Sequence, residues 1–146
     1  MIRRVLHPTD FSRASGAAFS RALAEARANK AGLTIVHVLA PVVPMAGEGY
    51  VSPSVYEQMA EASRAWGQRQ LNRLLTRART ARVRARGLLL EGVAHEQIVR
   101  AAKRQRAGLV VIGTHGRTGV ARFFLGSVAA RVTATAPCPV LTVRGR

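Results

Sequence analysis

Short apolar or β-branched segments alternate with longer segments of helical periodicity along the whole chain, and this alternation limits the fold more than any other feature. The predicted strands are residues 2–7, 33–39, 82–90, 109–112 and 140–143. The predicted helices are residues 12–31, 54–81, 94–106 and 127–134. Strict alternation predicts an α/β fold, with a mainly parallel sheet and helices on both faces. A chain of 146 residues has the size of one domain, so residues 1–146 are treated as a single unit.

The second predicted helix carries a long apolar stripe, which Leu71 and Leu75 widen. Its members are Val55, Met59, Ala62, Trp66, Leu74 and Ala78. In the following strand, three arginines at 82, 84 and 86 alternate with smaller residues, a pattern typical of a sheet edge. Residues 41–53 contain three prolines and two glycines. A connection of this length predicts a lid or a binding loop.

The net charge of +16 comes from 23 basic and only 7 acidic residues. A basic surface can bind nucleic acid or another polyanion. Here the arginines are spread from Arg3 to Arg146, and the few aromatic residues do not interleave with them. Base stacking would require such aromatic residues. We therefore interpret the charge as a solvated surface and expect no nucleic-acid partner.

Membrane and disulfide chemistry are not predicted by this sequence. No apolar run approaches the roughly 20 residues of a transmembrane helix, and the N-terminal residues do not have the pattern of a signal peptide. Cys138 is the single cysteine, so neither an internal disulfide nor a cysteine-based zinc site is expected. These features predict a cytoplasmic protein.

Two segments that follow predicted strands are the candidates for chemistry. Ligands of open α/β sheets bind beyond the carboxyl ends of strands, where the strand order reverses. The first segment is Pro8-Thr9-Asp10-Phe11-Ser12, which contains the only aspartate of the chain. The second begins at Gly113 and continues to Gly126-Ser127 at the start of a helix.

The second segment has the composition of a phosphate-binding loop. Glycines at 113, 116 and 119 allow positive φ angles and a close approach of a ligand to the backbone. The helix that begins at Ser127 offers free amides to an anion, and Ser127 could cap it or donate to phosphate. Arg117 and Arg122 add positive charge. Neither a Walker A motif nor a Gly-x-Gly-x-x-Gly motif occurs in the chain.

These motifs resemble those of the universal stress protein family, small single-domain type. Gly113-x2-Gly116-x9-Gly126-Ser127 matches its phosphate-binding pattern, and Pro8-Thr9-Asp10-Phe11-Ser12 matches its first-strand motif. Gly92-Val93-Ala94 and Ala136-Pro137-Cys138-Pro139-Val140 also match, in the same order. The resemblance implies a Rossmann-like sheet of five parallel strands in the order 3-2-1-4-5.

The resemblance also implies an ATP site with a divalent cation such as Mg²⁺ at the phosphates. By position, Asp10 and Val38 hold the adenine end, and Ile112 and Gly113 lie along the nucleoside. The implied phosphate-side residues are His115, Gly116, Gly126, Ser127 and Val128. Pro8, Thr9 and Arg117 complete the candidate nucleotide-binding set, while the metal ligands stay unassigned.

Several alternatives remain at this stage. Asp10 could merely help Ser12 to cap the first helix, and His37 is interpreted as structural. No role is assigned to His7 or His95. Acidic residues are scarce, and Glu48 is the only glutamate that could reach the site. Since catalysis needs a placed base, we expect a nucleotide-binding regulator in a stress response, with slow ATP hydrolysis at most. A slow ATPase or nucleotidyl-transfer enzyme and a nucleic-acid-binding module are the alternatives, and AMP or cyclic AMP could replace ATP.

The last predicted strand indicates an assembly. Val140–Val143 is apolar, and the implied strand order places it at a sheet edge without a blocking charge before Arg144. Such an edge can pair with its own copy across a two-fold axis. The resemblance likewise implies a homodimer through this strand.

Overall fold

The computed structural model of the protein describes residues 1–43, 49, 51–115 and 125–145. Strands and helices alternate in it as β1 (Arg4–Pro8), α1 (Arg13–Ala28), β2 (Gly32–Leu39), α2 (Pro53–Thr80), β3 (Ala85–Glu91), α3 (Ala94–Arg104), β4 (Leu109–Gly113), α4 (Ser127–Thr135) and β5 (Val140–Val143). Within this part of the chain the strands form one parallel sheet in the order β3-β2-β1-β4-β5. The predicted fold class and strand order are confirmed.

The two faces of the sheet are covered by different helix pairs. Successive residues of a strand point to opposite faces, so Val5 packs with α1 and α2 whereas its neighbour Leu6 packs with α3 and α4. The alanine side of α1, which includes Ala18, Ala22 and Ala26, is buried against the first face. Small side chains there let the helix lie close to the sheet.

The long stripe of α2 packs over only part of its length. Leu71 and Ala78 are buried, but Val55 is 40% exposed and Met59 is 53% exposed. A helix of 28 residues is about 42 Å long, which exceeds the roughly 26 Å of an eight-residue strand. The first turns of α2 therefore extend beyond the sheet, and the apolar stripe is exposed there.

The start of β3 also differs from the prediction. Arg82 has a φ of 57° and belongs to the turn after α2, whose next residue, Val83, donates its amide to the Ala78 carbonyl oxygen at 2.9 Å. The extended strand begins only at Ala85. Its predicted place at a sheet edge is confirmed.

None of the helices that the structure describes is long and apolar enough to span a membrane.

Candidate functional site

A cleft of about 280 Å³ opens at the carboxyl ends of β1 and β4. These strands are neighbours, but α1 packs on one face of the sheet and α4 packs on the other. The chain therefore diverges at this point and leaves an opening, as expected at the switch point of an open α/β sheet.

Most of the residues predicted for the site lie together in the walls of this cleft. They are Pro8, Thr9, Asp10, Val38, Ile112, Gly113, His115, Gly126, Ser127 and Val128. The other two predicted residues, Gly116 and Arg117, lie outside the described residues, as do Gly119, Arg122 and Glu48. The fold thus brings ten candidates into one cleft, while their contact with a nucleotide stays a prediction.

Asp10 has a structural function in the turn between β1 and α1. Its Oδ1 accepts hydrogen bonds from the Ser12 amide at 2.9 Å and from the Ser15 hydroxyl at 2.8 Å. Ser12 Oγ in turn accepts the Ser15 amide and caps α1. The alternative in which Asp10 supports the cap is therefore present in the structure. It is compatible with a ligand contact, because the same side chain lines the cleft.

His37 fixes this turn to β2. Its Nδ1 lies 2.8 Å from the Thr9 carbonyl oxygen, which can only accept, so Nδ1 carries the proton. The ring also packs against Phe11, 4.5 Å away between centroids, and Trp66 closes the aromatic cluster. Phe11 has a φ of 62°, a strained angle for an aromatic residue. These contacts support the structural interpretation of His37.

Packing explains two of the predicted loop glycines. A Cβ on Gly113 would lie 3.0 Å from the Ala14 carbonyl group, and a Cβ on Gly126 would lie 2.9 Å from the Thr114 carbonyl oxygen. The Gly126 amide donates to that same oxygen at 2.6 Å. Gly113 does not have the positive φ that the sequence suggested. Both residues are small because backbone approaches backbone there, which also holds the start of α4 against the end of β4.

Two helix N-termini open into the cleft without a side-chain cap. Gly126 is the N-cap of α4 and Val93 is the N-cap of α3, and neither makes a side-chain capping bond. Ser127 is already the first helical residue, so its predicted capping role is wrong. The free amides and the helix dipole create a positive potential at these ends. Ser127, Val128 and Ala94 lie in the cleft wall, so an anion in the cleft would meet these amides.

The described walls contain few groups for acid–base or metal chemistry. Asp10 is their only carboxylate, and His37 and His115 are their only imidazoles. Thr114 Oγ1 lies 2.8 Å from Nδ1 of His115. Among the described residues, no group of three or more His, Cys, Asp or Glu side chains could hold a metal ion.

Sequence reasoning missed part of the wall. The additional residues are Ser15, Val36, His37, Ala94, Ile98, Thr114 and Ala129. Ala94 and Ile98 lie four residues apart at the start of α3, so helical spacing after the Gly92-Val93 pair could have indicated them. Ser15 could not be found in this way, because its role depends on the folded turn.

The model of the universal stress protein family matches residues 1–144. A universal stress protein of Thermus aquaticus is 36% identical over 144 residues, which cover 99% of this chain and 100% of that protein. The UspA structure from Lactobacillus plantarum has a TM-score of 0.84 at 25% identity and covers 97% of each chain. A universal stress protein in complex with cAMP has a TM-score of 0.73 at 26% identity and covers 99% of each chain.

Proposed function

The chain belongs to the universal stress protein family, and from this premise we propose that its cleft binds ATP and that the protein is a cytoplasmic stress-response regulator. The observation that carries the proposal is the uncapped N-terminus of α4 inside a cleft at the switch point. Phosphate satisfies free helix amides at such a position. The related structure that contains cAMP supports an adenine nucleotide as the ligand.

The shape of the cleft supports a particular orientation of the nucleotide. Its volume of about 280 Å³ is close to the lower limit of roughly 300 Å³ for small-molecule pockets, which suits a nucleoside and its first phosphate. Asp10 and Val38 then contact the adenine end, and Ile112 and Gly113 lie along the nucleoside. The amides of Ser127 and Val128 receive the phosphates. Pro8, Thr9, His115 and Gly126 complete the described contacts, and Gly116 and Arg117 would serve the outer phosphates.

A divalent cation fits this arrangement as a partner of the nucleotide. Mg²⁺ is commonly bound by substrate phosphates and one or two carboxylates. Asp10, the one carboxylate of the described cleft wall, is assigned to the adenine end, so the phosphates themselves would hold the cation and no protein ligand is assigned to it. When bound, the cation would neutralise phosphate charge, while the protein would orient the nucleotide through backbone amides.

Hydrolysis of the bound nucleotide is proposed to be slow. Oδ1 of Asp10 already accepts two hydrogen bonds, and Nδ1 of His37 is bound to the Thr9 carbonyl oxygen. Both groups are thus engaged in the turn and are poorly placed to activate water. We expect turnover below about 1 s⁻¹, the lower end of ordinary enzymes. Faster turnover at saturating ATP would favour the alternative of an ATP-hydrolysing enzyme.

Ser127→Asp tests the phosphate end of the proposal. An aspartate in the first turn of α4 stabilises the helix dipole, so the variant should fold, but its charge repels phosphate. In titration calorimetry we expect its affinity for ATP to fall at least tenfold, with adenosine binding unchanged. Ser54→Asp, in the first turn of α2 and outside the cleft, is the matched control and should bind both ligands normally.

Equal affinity of Ser127→Asp and the parent protein for ATP would contradict the proposed site. Loss of adenosine binding as well would show that the variant damages the cleft rather than the phosphate contacts. Mass spectrometry of nucleotide released from the purified protein then distinguishes ATP from AMP and cyclic AMP.

A further inference from the structure

The turns that follow α1, α2 and α3 share one structure and one charge pattern. Residues 26–32, 78–84 and 102–108 form these turns, which we call the basic turns. Each reads alanine, a cation, two other residues, a second cation and a small apolar residue. The first cations are Arg27, Arg79 and Lys103, and the second are Lys30, Arg82 and Arg106.

Identical hydrogen bonds close the three basic turns. In the first turn, the Lys30 amide donates to the Arg27 carbonyl oxygen at 3.1 Å, and the Ala31 amide donates to the Ala26 carbonyl oxygen at 2.8 Å. Equivalent pairs of bonds close the turns at Arg82 and Arg106. This pattern is the Schellman motif, in which the residue after the C-cap takes a left-handed conformation.

The residue type at the left-handed position is unusual. Lys30, Arg82 and Arg106 have φ angles of 52°, 57° and 50°. Glycine or asparagine adopts this conformation with less strain. A cation near a helix C-terminus interacts favourably with the dipole, but the first cation of each turn already serves that function. Helix capping therefore does not explain why a second cation occupies the strained position in all three turns.

The fold gathers these cations at the end of the sheet where the parallel strands begin, which we call the amino edge. The basic turns lead into β2, β3 and β4, and Arg3 and Arg4 lead into β1. Backbone bonds join these segments, since Gly32 donates to the Arg3 carbonyl oxygen and Gly108 donates to that of Arg4. Four neighbouring strands thus have a cationic residue at their start or within three residues before it. At the usual strand spacing, the row is about 14 Å wide.

Opposite charge is scarce at this edge. Of the described acidic residues, Glu25 alone lies in the last turns of a helix, and it is paired with Arg21 at 2.7 Å. The others, Asp10, Glu57, Glu61, Glu91 and Glu96, lie at strand ends or near helix starts, toward the opposite edge. Between the first two basic turns is a groove of about 330 Å³, whose walls include Arg27, Lys30, Arg82 and Arg84.

We propose that the amino edge, formed by the basic turns and Arg3-Arg4, binds the phosphate backbone of duplex nucleic acid without reading its sequence. Duplex DNA carries one phosphate per roughly 3.4 Å of helix axis on each strand, so a row about 14 Å wide is long enough to face several phosphates. No Phe, Tyr or Trp lies within these turns, which favours backbone contacts over base stacking. In the sequence, the spread of the arginines and the lack of interleaved aromatic residues argue against a nucleic-acid partner. The fold gathers part of the basic residues at one edge, and contacts to the phosphate backbone need no aromatic residues.

The test compares two variants of equal net charge. The edge variant combines Lys30→Asn, Arg82→Asn and Arg106→Asn, since asparagine tolerates the left-handed conformation. The control variant combines Arg69→Gln, Arg73→Gln and Arg131→Gln on exposed helix surfaces away from the edge. Circular dichroism and urea denaturation establish that both variants fold.

Binding of a fluorescent 20-base-pair DNA duplex is measured by anisotropy over a range of salt concentrations. We expect the edge variant to lose at least tenfold in affinity at 100 mM salt. Its slope of log affinity against log salt should fall by about 2 to 3, since each lost phosphate contact contributes about 0.9. The control variant should keep a higher affinity at 100 mM salt and a steeper salt dependence than the edge variant.

Three outcomes would overturn the proposal. The parent protein could fail to bind the duplex at 50 mM salt, or both variants could lose affinity equally, which would indicate net charge alone. The protein could also bind phosphatidylserine vesicles and leave the duplex free, which would assign the edge to a membrane surface. None of these readouts depends on nucleotide binding in the cleft at the other edge.

Discussion

At the scale of single residues, His7 is the buried titratable group that the proposed function does not use. Its Nδ1 donates to the Val111 carbonyl oxygen at 2.9 Å, and the ring lies beside Phe19 of α1. Nε2 has no hydrogen-bond partner among the described residues. Burial lowers the pKa of His7 to about 4, although the Val111 carbonyl and Asp10 oppose the shift. The imidazole is therefore neutral at neutral pH.

His7 should make the protein less stable in acid. Between pH 6.5 and 4 the unfolded chain binds a proton at His7 that the native protein does not bind, so stability is lost as the pH falls. For a native pKa of about 4, the loss between pH 7.5 and pH 5 is about 2 kcal/mol. Urea denaturation at both pH values should show that His7→Leu lacks this part of the pH dependence, whatever its absolute stability.

The partly exposed His95 provides the control for this measurement. His95→Leu removes a histidine from α3 without touching the core, so it should retain the pH dependence of the parent protein. The same pH dependence in His7→Leu and the parent would show that another group causes the acid sensitivity.

At the scale of elements, the left-handed residue of each basic turn stores strain that a substitution can release. Lys30 is exposed and has a φ of 52°, and a non-glycine residue in this conformation costs roughly 1–2 kcal/mol. After the greater chain entropy of glycine is subtracted, Lys30→Gly should raise the free energy of unfolding by about 0.5–1 kcal/mol. Urea denaturation measures the change.

Lys30→Ala separates strain from charge in this experiment. Alanine removes the positive charge but keeps the Cβ that causes the strain, so its stability should remain close to that of the parent. If alanine stabilises the protein as much as glycine does, repulsion among the edge cations is the cause instead.

The elements also show what could be predicted from the sequence. Apolar periodicity predicts the helices and strands because residues at the period of an element share the face that is buried. Ala18, Ala22 and Ala26 are buried as their spacing indicates. The same periodicity does not reveal that Met59 is exposed, since a local pattern cannot show that the sheet is shorter than α2. Gly126 was predicted at the site, but the reason it must be small, the carbonyl of Thr114, exists only after folding.

At the scale of the whole molecule, the parallel sheet separates the charges. In the part of the chain that the structure describes, all four helices run antiparallel to the strands, so helix N-termini gather at the carboxyl edge and helix C-termini gather at the amino edge. All described acidic residues except Glu25 lie toward the first edge, as does the cleft, and the basic turns lie at the second. The helix dipoles have the same polarity. One topology thus provides both the cleft in which we propose that a nucleotide binds and, at the other end, the cationic surface that we propose for duplex nucleic acid.

The edge strand β5 extends this reasoning to assembly. Within the described residues it pairs only with β4, so one side of its backbone is open to a second copy, and we expect the protein to be a homodimer through Val140–Val143. Leu141→Lys should yield a monomer in sedimentation velocity, because a charge opposes strand pairing. Since Leu141 also packs against the core near α1, the exposed neighbour in Thr142→Lys should give the same result without weakening the fold. Dimers that persist in both variants would place the interface on another surface, and a monomeric parent protein would contradict pairing through β5.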